Sequence, residues 1–192
     1  MDVNNYPILG ELENVQPSKK KTNDIAYVGG ITEVRGMREV VKSLDLCRNN
    51  VRLKLAGNFF FNSFREELKT YPGWGKVDKL GFLSRSDVRG LLSEVSAGLV
   101  TFLPVQNHIN AQPNKMFEYM STGLPVIASN FPLWREIVEG NSCGLCVDPT
   151  KPEEVAEAID WILDHPEESQ KMGENGKKAV QEKYNWAMEE KK

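Results

Sequence analysis

Ile25-Ala26-Tyr27-Val28-Gly29-Gly30-Ile31-Thr32-Glu33-Val34-Arg35-Gly36 is the stretch on which the reading of the fold turns. A short apolar run over residues 25–29 ends in paired glycines. Met37, Val40, Val41, Leu44 and Cys47 then recur at steps of three and four, as one buried helical face does. That is a strand followed by a helix, and outward from it the unit repeats. Val51, Leu53 and Leu55 alternate with Arg52 and Lys54 in a half-exposed strand, and Phe64, Leu68 and Tyr71 form a weaker helical stripe. Residues 77–83 read as a third strand. Ser84-Arg85-Ser86-Asp87 places a hydroxyl cap three residues before a carboxylate, ahead of the inward positions Val88, Leu91, Leu92 and Val95.

Further along, residues 99–103 predict a buried strand and residues 114–121 a helix, stopped by Gly123 and Pro125. Strands at 126–128 and 144–147 bracket a helix at 133–139. Thr150-Lys151-Pro152-Glu153 predicts a capping box opening an amphipathic helix that buries Val155, Ile159, Ile162 and Leu163. Residues 166–186 predict a last, outer helix. Parallel strands need crossovers, and right-handed ones dominate. The alternation therefore predicts an α/β, Rossmann-like, doubly wound and mainly parallel sheet of about six strands with helices on both faces. Residues 1–24 read as an arm or linker, and 25–192 as one domain. Such sheets bind ligands beyond the carboxyl ends of their strands, which directs attention to the loops after Val28, Leu55, Phe82, Leu103 and Ala128.

The whole chain sets bounds on function. Its 192 residues are 40% hydrophobic and 27% charged, enough for a real core and unlike a disordered chain. Lys and Arg number 24 against 27 Asp and Glu, a net charge of -3 that gives no reason to expect nucleic acid as a partner. The longest apolar stretch, 97–105, is interrupted by Thr101 and Pro104 and falls short of the roughly 18 to 20 residues of a membrane span. The first residues lack a secretory pattern and there are three cysteines, so a cytoplasmic, reducing location is expected. Lys19, Lys20 and Lys21 are too short a cluster to establish membrane attachment.

Two segments carry candidate chemistry. The turn from Gly29 to Gly36 lets backbone approach a ligand closely and sets Arg35 beside a helix start, which suits a phosphate; a tight turn with a solvated arginine fits it as well. In Pro113-Asn114-Lys115-Met116-Phe117-Glu118, Lys115 and Glu118 stand one turn apart near another helix start. The ammonium and free amides could hold an anion while the carboxylate takes sugar hydroxyls, or the two could be an ordinary surface ion pair. Cys143-Gly144-Leu145-Cys146 has redox or zinc spacing, but with no second pair or clustered histidines the better reading is burial. His108 reads as a loop residue near the ligand edge, His165 as a helix end, and Trp134 and Trp186 as packing anchors.

The order of these segments is more specific than any one of them. The glycine turn with its basic residue is followed by VDKLGFLSRSDVRGLLSEVS (77–96), FEYMSTGLPVIAS (117–129) and FPLWREIVEGNSCGLCVDPTKPEEVAEAI (131–159). From about Asp24 to Trp186 the chain resembles the nucleotide-sugar-binding, C-terminal half of the group-one, or family-four, retaining glycosyltransferases, which have two Rossmann-like domains of GT-B type facing a cleft. The resemblance implies that Glu118 bonds the donor ribose and that Pro113, Asn114 and Lys115 lie beside its diphosphate, with Met116 among the binding residues. It implies that Arg35 neutralises that diphosphate in place of a lysine, together with the Gly29-Gly30 turn. It also implies that Gly81, Phe82 and Leu83 read the base through their backbone.

Two positions depart from the family pattern. Asn110 stands where a glutamate commonly contacts the donor sugar; it keeps hydrogen bonding but no charge. Gly30 stands where an arginine is usual, and Lys115 could replace that charge spatially. The resemblance implies sugar transfer from a nucleotide diphosphate to an acceptor hydroxyl with retained configuration, in polysaccharide or other glycan synthesis. On that resemblance Arg35 and Lys115 are expected to serve as the catalytic cations, with no obligatory metal and no cofactor beyond the donor. It further implies a separate N-terminal domain that binds the acceptor and brings at most peripheral membrane contact. The 192 residues match one half only, so this half is expected to bind donor with little or no transfer. The rival reading is a non-catalytic nucleotide-binding or partner-docking module on the same fold.

Overall fold

The computed structural model describes residues 21–184; most of the 1–24 arm, with Lys19 and Lys20, and Trp186 lie outside the described residues. Six strands are present among them: β1 Ile25–Val28, β2 Leu53–Ala56, β3 Val77–Gly81, β4 Ala97–Val100, β5 Val126–Ser129 and β6 Gly144–Val147. The helices are α1 Met37–Leu46, α2 Asn62–Leu68, α3 Arg85–Glu94, α4 Gln106–Ile109, α5 Asn114–Ser121, α6 Pro132–Val138, α7 Pro152–Asp164 and α8 Pro166–Glu182. The sheet is parallel throughout, in the order β3-β2-β1-β4-β5-β6. β1 pairs with β2 on one side and β4 on the other. The direction of winding reverses between β1 and β4, the switch point beyond whose carboxyl ends such sheets carry their ligand crevice.

Burial explains why these segments became strands. β4 and β5 are buried at every position, as expected of central parallel strands covered on both faces. β2 sits nearer the edge: Leu53 and Leu55 face the core while Arg52 and Lys54 converge on Asp78 of β3, at 2.9 and 2.8 Å. Those bonds, Arg52's first, hold the Asp78 carboxyl far below its ordinary value. Around the sheet α1 packs on α7 and α5 on α8. Gly98 of β4 makes room for α5, since a Cβ there would lie 2.3 Å from the Tyr119 ring. Tyr119 is fully buried, and its hydroxyl accepts from the Val28 amide at 3.0 Å, locking α5 to the end of β1.

Several boundaries move for local reasons. The third strand stops at Gly81, two residues short of the predicted end, where its register against β2 shifts. The fourth ends at Val100. Beyond it Leu103 N donates to Val34 O and Ser129 Oγ to Phe102 O, so the chain leaves the ladder and crosses the top of the sheet. The Ser84–Asp87 capping box is present with both reciprocal bonds. The predicted box at Thr150 is not: Lys151 is the cap residue of α7, and the Thr150 amide and hydroxyl donate to Asp148 Oδ1 at 3.0 and 2.6 Å. An aspartate two residues upstream outcompetes the helix terminus for that hydroxyl. The short α4 lies where the sequence predicts only a loop. Thr22 and Asp24, which the sequence places in the arm, hydrogen-bond to Glu94 and Ser96 at the approach to β4.

Candidate functional site

The crevice is built from the ends of β1 and β4 and the start of α5. Gly29 follows β1 with φ 131°, a conformation L side chains rarely adopt, and a Cβ there would lie 2.7 Å from Lys115 Nζ. The glycine thus does two things: it turns the chain, and it lets the Lys115 amine of α5 reach the underside of the turn. Lys115 is only 8% exposed. Its Nζ lies 3.9 Å from the Tyr27 ring centroid and 5.1 Å from that of Phe102, with no hydrogen-bond partner. Arg35 faces the same Phe102 ring, with Cζ 4.8 Å from its centroid. Two basic groups therefore share one aromatic plate.

Burial governs the electrostatics here. It drives the Lys115 amine well below its ordinary value, Arg35 adds to the effect, and Glu118 opposes both. The Tyr27 phenol is pushed up to about 12 by burial, partly offset by Arg35, and its hydroxyl donates to Gly30 O at 2.7 Å. That bond fixes the second glycine of the turn. The hydroxyls of Thr32 and Thr101, on the two loops that frame the crevice, are also buried without partners.

Each residue singled out from the sequence can now be placed. Lys115 and Glu118 do not form the surface pair of the alternative reading: Lys115 turns inward to Tyr27, while Glu118 stays half-buried on the helix surface. Pro113 caps α5 and Asn114, its first residue, is exposed. Met116, expected among the binding residues, faces the core. Its side chain is fully buried, and its amide donates to Pro113 O at 3.0 Å, so neither is open to a ligand. Gly30 meets Phe60: a Cβ would lie 2.5 Å from the ring, so an arginine would first have to displace that 69%-exposed phenylalanine. Lys115 Nζ lies beneath Gly29 instead, 2.7 Å from where a Cβ on that glycine would stand.

Asn110 caps the carboxyl end of α4 and is exposed on the same edge of the sheet. Gly81 and Phe82 project at the end of β3, Phe82 with 80% of its surface exposed, and Leu83 is half-buried. Gly81 borders a cavity of about 450 Å³ between the ends of β2 and β3, whose walls include Gly57, Asn58, Phe59, Arg65 and Lys79. The sequence singles out none of those five, because each is unremarkable in its own segment. Trp134 is a packing anchor that also orders the site: fully buried, it donates from Nε1 to Ala111 O at 2.6 Å and pins the loop between Asn110 and Pro113. His108 is part-buried, with Nδ1 3.1 Å from Leu103 O and its ring 4.9 Å from Phe102. His165 joins α7 to α8 and stacks on Trp161. Burial pushes the Cys143 and Cys146 thiols up to about 12, the opposite of what a reactive redox pair requires.

Comparison with known proteins agrees with this fold. The chain is 28% identical over 165 residues to the uncharacterized glycosyltransferase MJ1607 of Methanocaldococcus jannaschii, a match covering 84% of this chain and 41% of that protein. A second uncharacterized glycosyltransferase of the same organism, MJ1069, is 20% identical over 97% of this chain and 47% of its own length. The chain thus spans less than half the length of these relatives. Among solved structures, Anabaena Alr3699/HepE in complex with UDP superposes with a TM-score of 0.77 at 16% identity, over 89% of this chain and 47% of that one. The C-terminal domain of a group 1 family glycosyl transferase, LpcC, from Francisella tularensis superposes at 0.73 and 18% identity, over 94% of this chain and 96% of that domain. These structures share the fold. The profile of the family described as glycosyl transferases group 1 matches residues 10–179, so the chain belongs to the group 1 glycosyl transferases.

Proposed function

We propose that this chain is the nucleotide-sugar-binding domain of a retaining glycosyltransferase, and that the crevice between β1 and β4 receives the donor diphosphate. The observation that carries the reading is Lys115: a basic side chain 8% exposed, without a hydrogen-bond acceptor, beside Arg35 and under Gly29. Burying a basic group away from any acceptor is costly, and an anion in the crevice would relieve that cost. The similar Anabaena protein has been crystallised with UDP and with UDP-glucose, which supports a donor of this class.

In this reading each residue has a distinct role. Glu118 accepts from the ribose hydroxyls, and Arg35 with Lys115 neutralises the diphosphate as negative charge builds on it during departure of the sugar. Fixed groups stabilise that charge without reorganising, so their effect falls on the transition state. Gly81, Phe82 and Leu83, at the mouth of the β2–β3 cavity, receive the base. Asn110 offers a neutral hydrogen bond to the sugar, held in place through the loop that Trp134 pins. A second, N-terminal domain binds the acceptor whose hydroxyl receives the sugar, and the enzyme acts in glycan synthesis on the cytoplasmic side. This half alone binds donor and transfers little.

Calorimetry with UDP, GDP, ADP and their sugar conjugates tests the proposal. One of these ligands is expected to bind, and Glu118→Ala to weaken it by about tenfold to a hundredfold, the worth of a hydrogen bond to a charged group. No binding by any of them at millimolar concentration would exclude the donor site, and undiminished binding by the variant would exclude the ribose role. Transfer that appears only on adding a separate acceptor domain would separate the enzyme reading from the docking module.

A further inference from the structure

Lys115 poses a question that diphosphate binding alone does not answer: what the amine does before a ligand arrives. Its surroundings are dry and aromatic, formed by Tyr27 and Phe102. The charged or titratable groups around it come from four elements. Tyr27 on β1 is held in its neutral phenol form by burial, and Arg35 on the turn before α1 adds positive charge. Tyr119, on α5 with Lys115, is fully buried and keeps its proton. His108 on α4 lies behind Phe102, and Glu118, also on α5, is the sole carboxylate among the described residues whose charge acts on the amine. Desolvation and the Arg35 charge both outweigh Glu118. Two cations on one ring with no anion between them can be relieved by losing a proton or by gaining a counter-ion.

We propose that Lys115 stands as a neutral amine in the ligand-free chain and takes up a proton when a diphosphate binds beside Arg35, so that the site acquires its second cation only with its ligand. The proposal rests on the donor-site reading above. The proton comes from solvent and adds to Nζ, and no covalent bond to the ligand forms. The arrangement spares the free protein a buried, unpaired charge, and gives the bound one a short-range counter-ion in a medium that screens weakly. Affinity then depends on pH. Between the amine's free and bound pKa values, each unit rise weakens binding by about tenfold; below the free value the amine is already charged and the dependence disappears.

The test is calorimetry of the whole chain with UDP-, GDP- and ADP-glucose, whose diphosphate diesters carry no proton that titrates near neutrality. Titrations are run at one near-neutral pH in buffers of different ionisation heat. The expected result is a binding heat that varies with the buffer and corresponds to uptake of close to one proton per ligand. Lys115→Arg should bind without uptake, because guanidinium is charged throughout. Lys115→Met, if folded, should bind more weakly and also without uptake. His108→Asn should keep the wild-type uptake. A buffer-independent heat in the wild type, uptake that survives Lys115→Arg, or uptake lost in His108→Asn would overturn the proposal. Failure of every conjugate to bind would instead remove the donor reading beneath it.

Discussion

At the residue scale, the crevice is a contest between charge and burial. Arg35 keeps its guanidinium against the Phe102 ring, a resting place that leaves the residue half-buried. Removing it should weaken diphosphate binding without unfolding the chain. Arg35→Ala is expected to cost about tenfold to a hundredfold in affinity for the nucleoside diphosphate that binds best, and Arg35→Lys less, because the charge survives while the planar fork is lost. Calorimetry reads the affinity and a thermal melt the fold; an affinity unchanged in Arg35→Ala would remove this residue from the site. The sequence made the residue types legible here: an arginine after a glycine turn, and a lysine and a glutamate at a helix start. It did not reveal that Lys115 points inward. Spacing on a helix places two residues on one side of the axis, but only the position of Tyr27 on a neighbouring strand decides which of them is dry.

At the element scale, the helices are set by what they press against. α5 begins and ends at the residues its own sequence predicts, Asn114 and Ser121, yet its distance from the sheet depends on Gly98, a residue in a strand with no local signal of importance. A methyl group at Gly98 would meet the Tyr119 ring at 2.3 Å and push the helix away from the Val28 amide that its tyrosine holds. Gly98→Ala is therefore expected to destabilise the chain by roughly 1–3 kcal/mol, the range for overpacking a filled core, and Gly98→Val by more. Chemical denaturation measures both, and an unchanged midpoint in Gly98→Val would show that α5 has slack the packing does not suggest. The two predicted capping boxes teach the same lesson. Ser84 has no competitor and caps α3, whereas Thr150 has Asp148 two residues away and serves that turn instead.

At the scale of the whole molecule, long-range polar contacts tie the two ends of the domain together. Asp160 of α7, 3% exposed, accepts from the Arg48 and Asn49 amides at 2.9 and 3.0 Å and from Asn49 Nδ2 at 2.9 Å, holding the segment that leaves α1. Burial by itself would raise its pKa, but these bonds outweigh burial and lower it from the ordinary 3.8. A carboxyl with a lowered folded pKa contributes stability above its unfolded value and loses that contribution as pH falls through the folded one. Asp160→Ala should cost roughly 1–3 kcal/mol near neutral pH, by removing the charged acceptor of the Arg48 and Asn49 amides. The penalty should shrink as pH falls from about 3.8, where the unfolded carboxyl takes up its proton, through the lower value of the folded one. Urea titrations at several pH values measure this; a penalty constant down to strongly acid pH would mean that the charge on Asp160 contributes nothing.

The sequence by itself determined the strand-and-helix alternation, the parallel α/β class and the residues able to meet a phosphate. Those follow from periodicity and from the few side chains that can do such chemistry. Tertiary structure alone decided which way Lys115 turned, that Met116 belongs to the core, that Trp134 pins the loop beside Asn110, and that a cavity opens between the ends of β2 and β3. The physical reason is the range of the forces involved. Hydrophobic periodicity and turn preferences act between neighbours in the chain, whereas desolvation, ring contacts and buried hydrogen bonds depend on groups that the winding of the sheet brings together from distant segments.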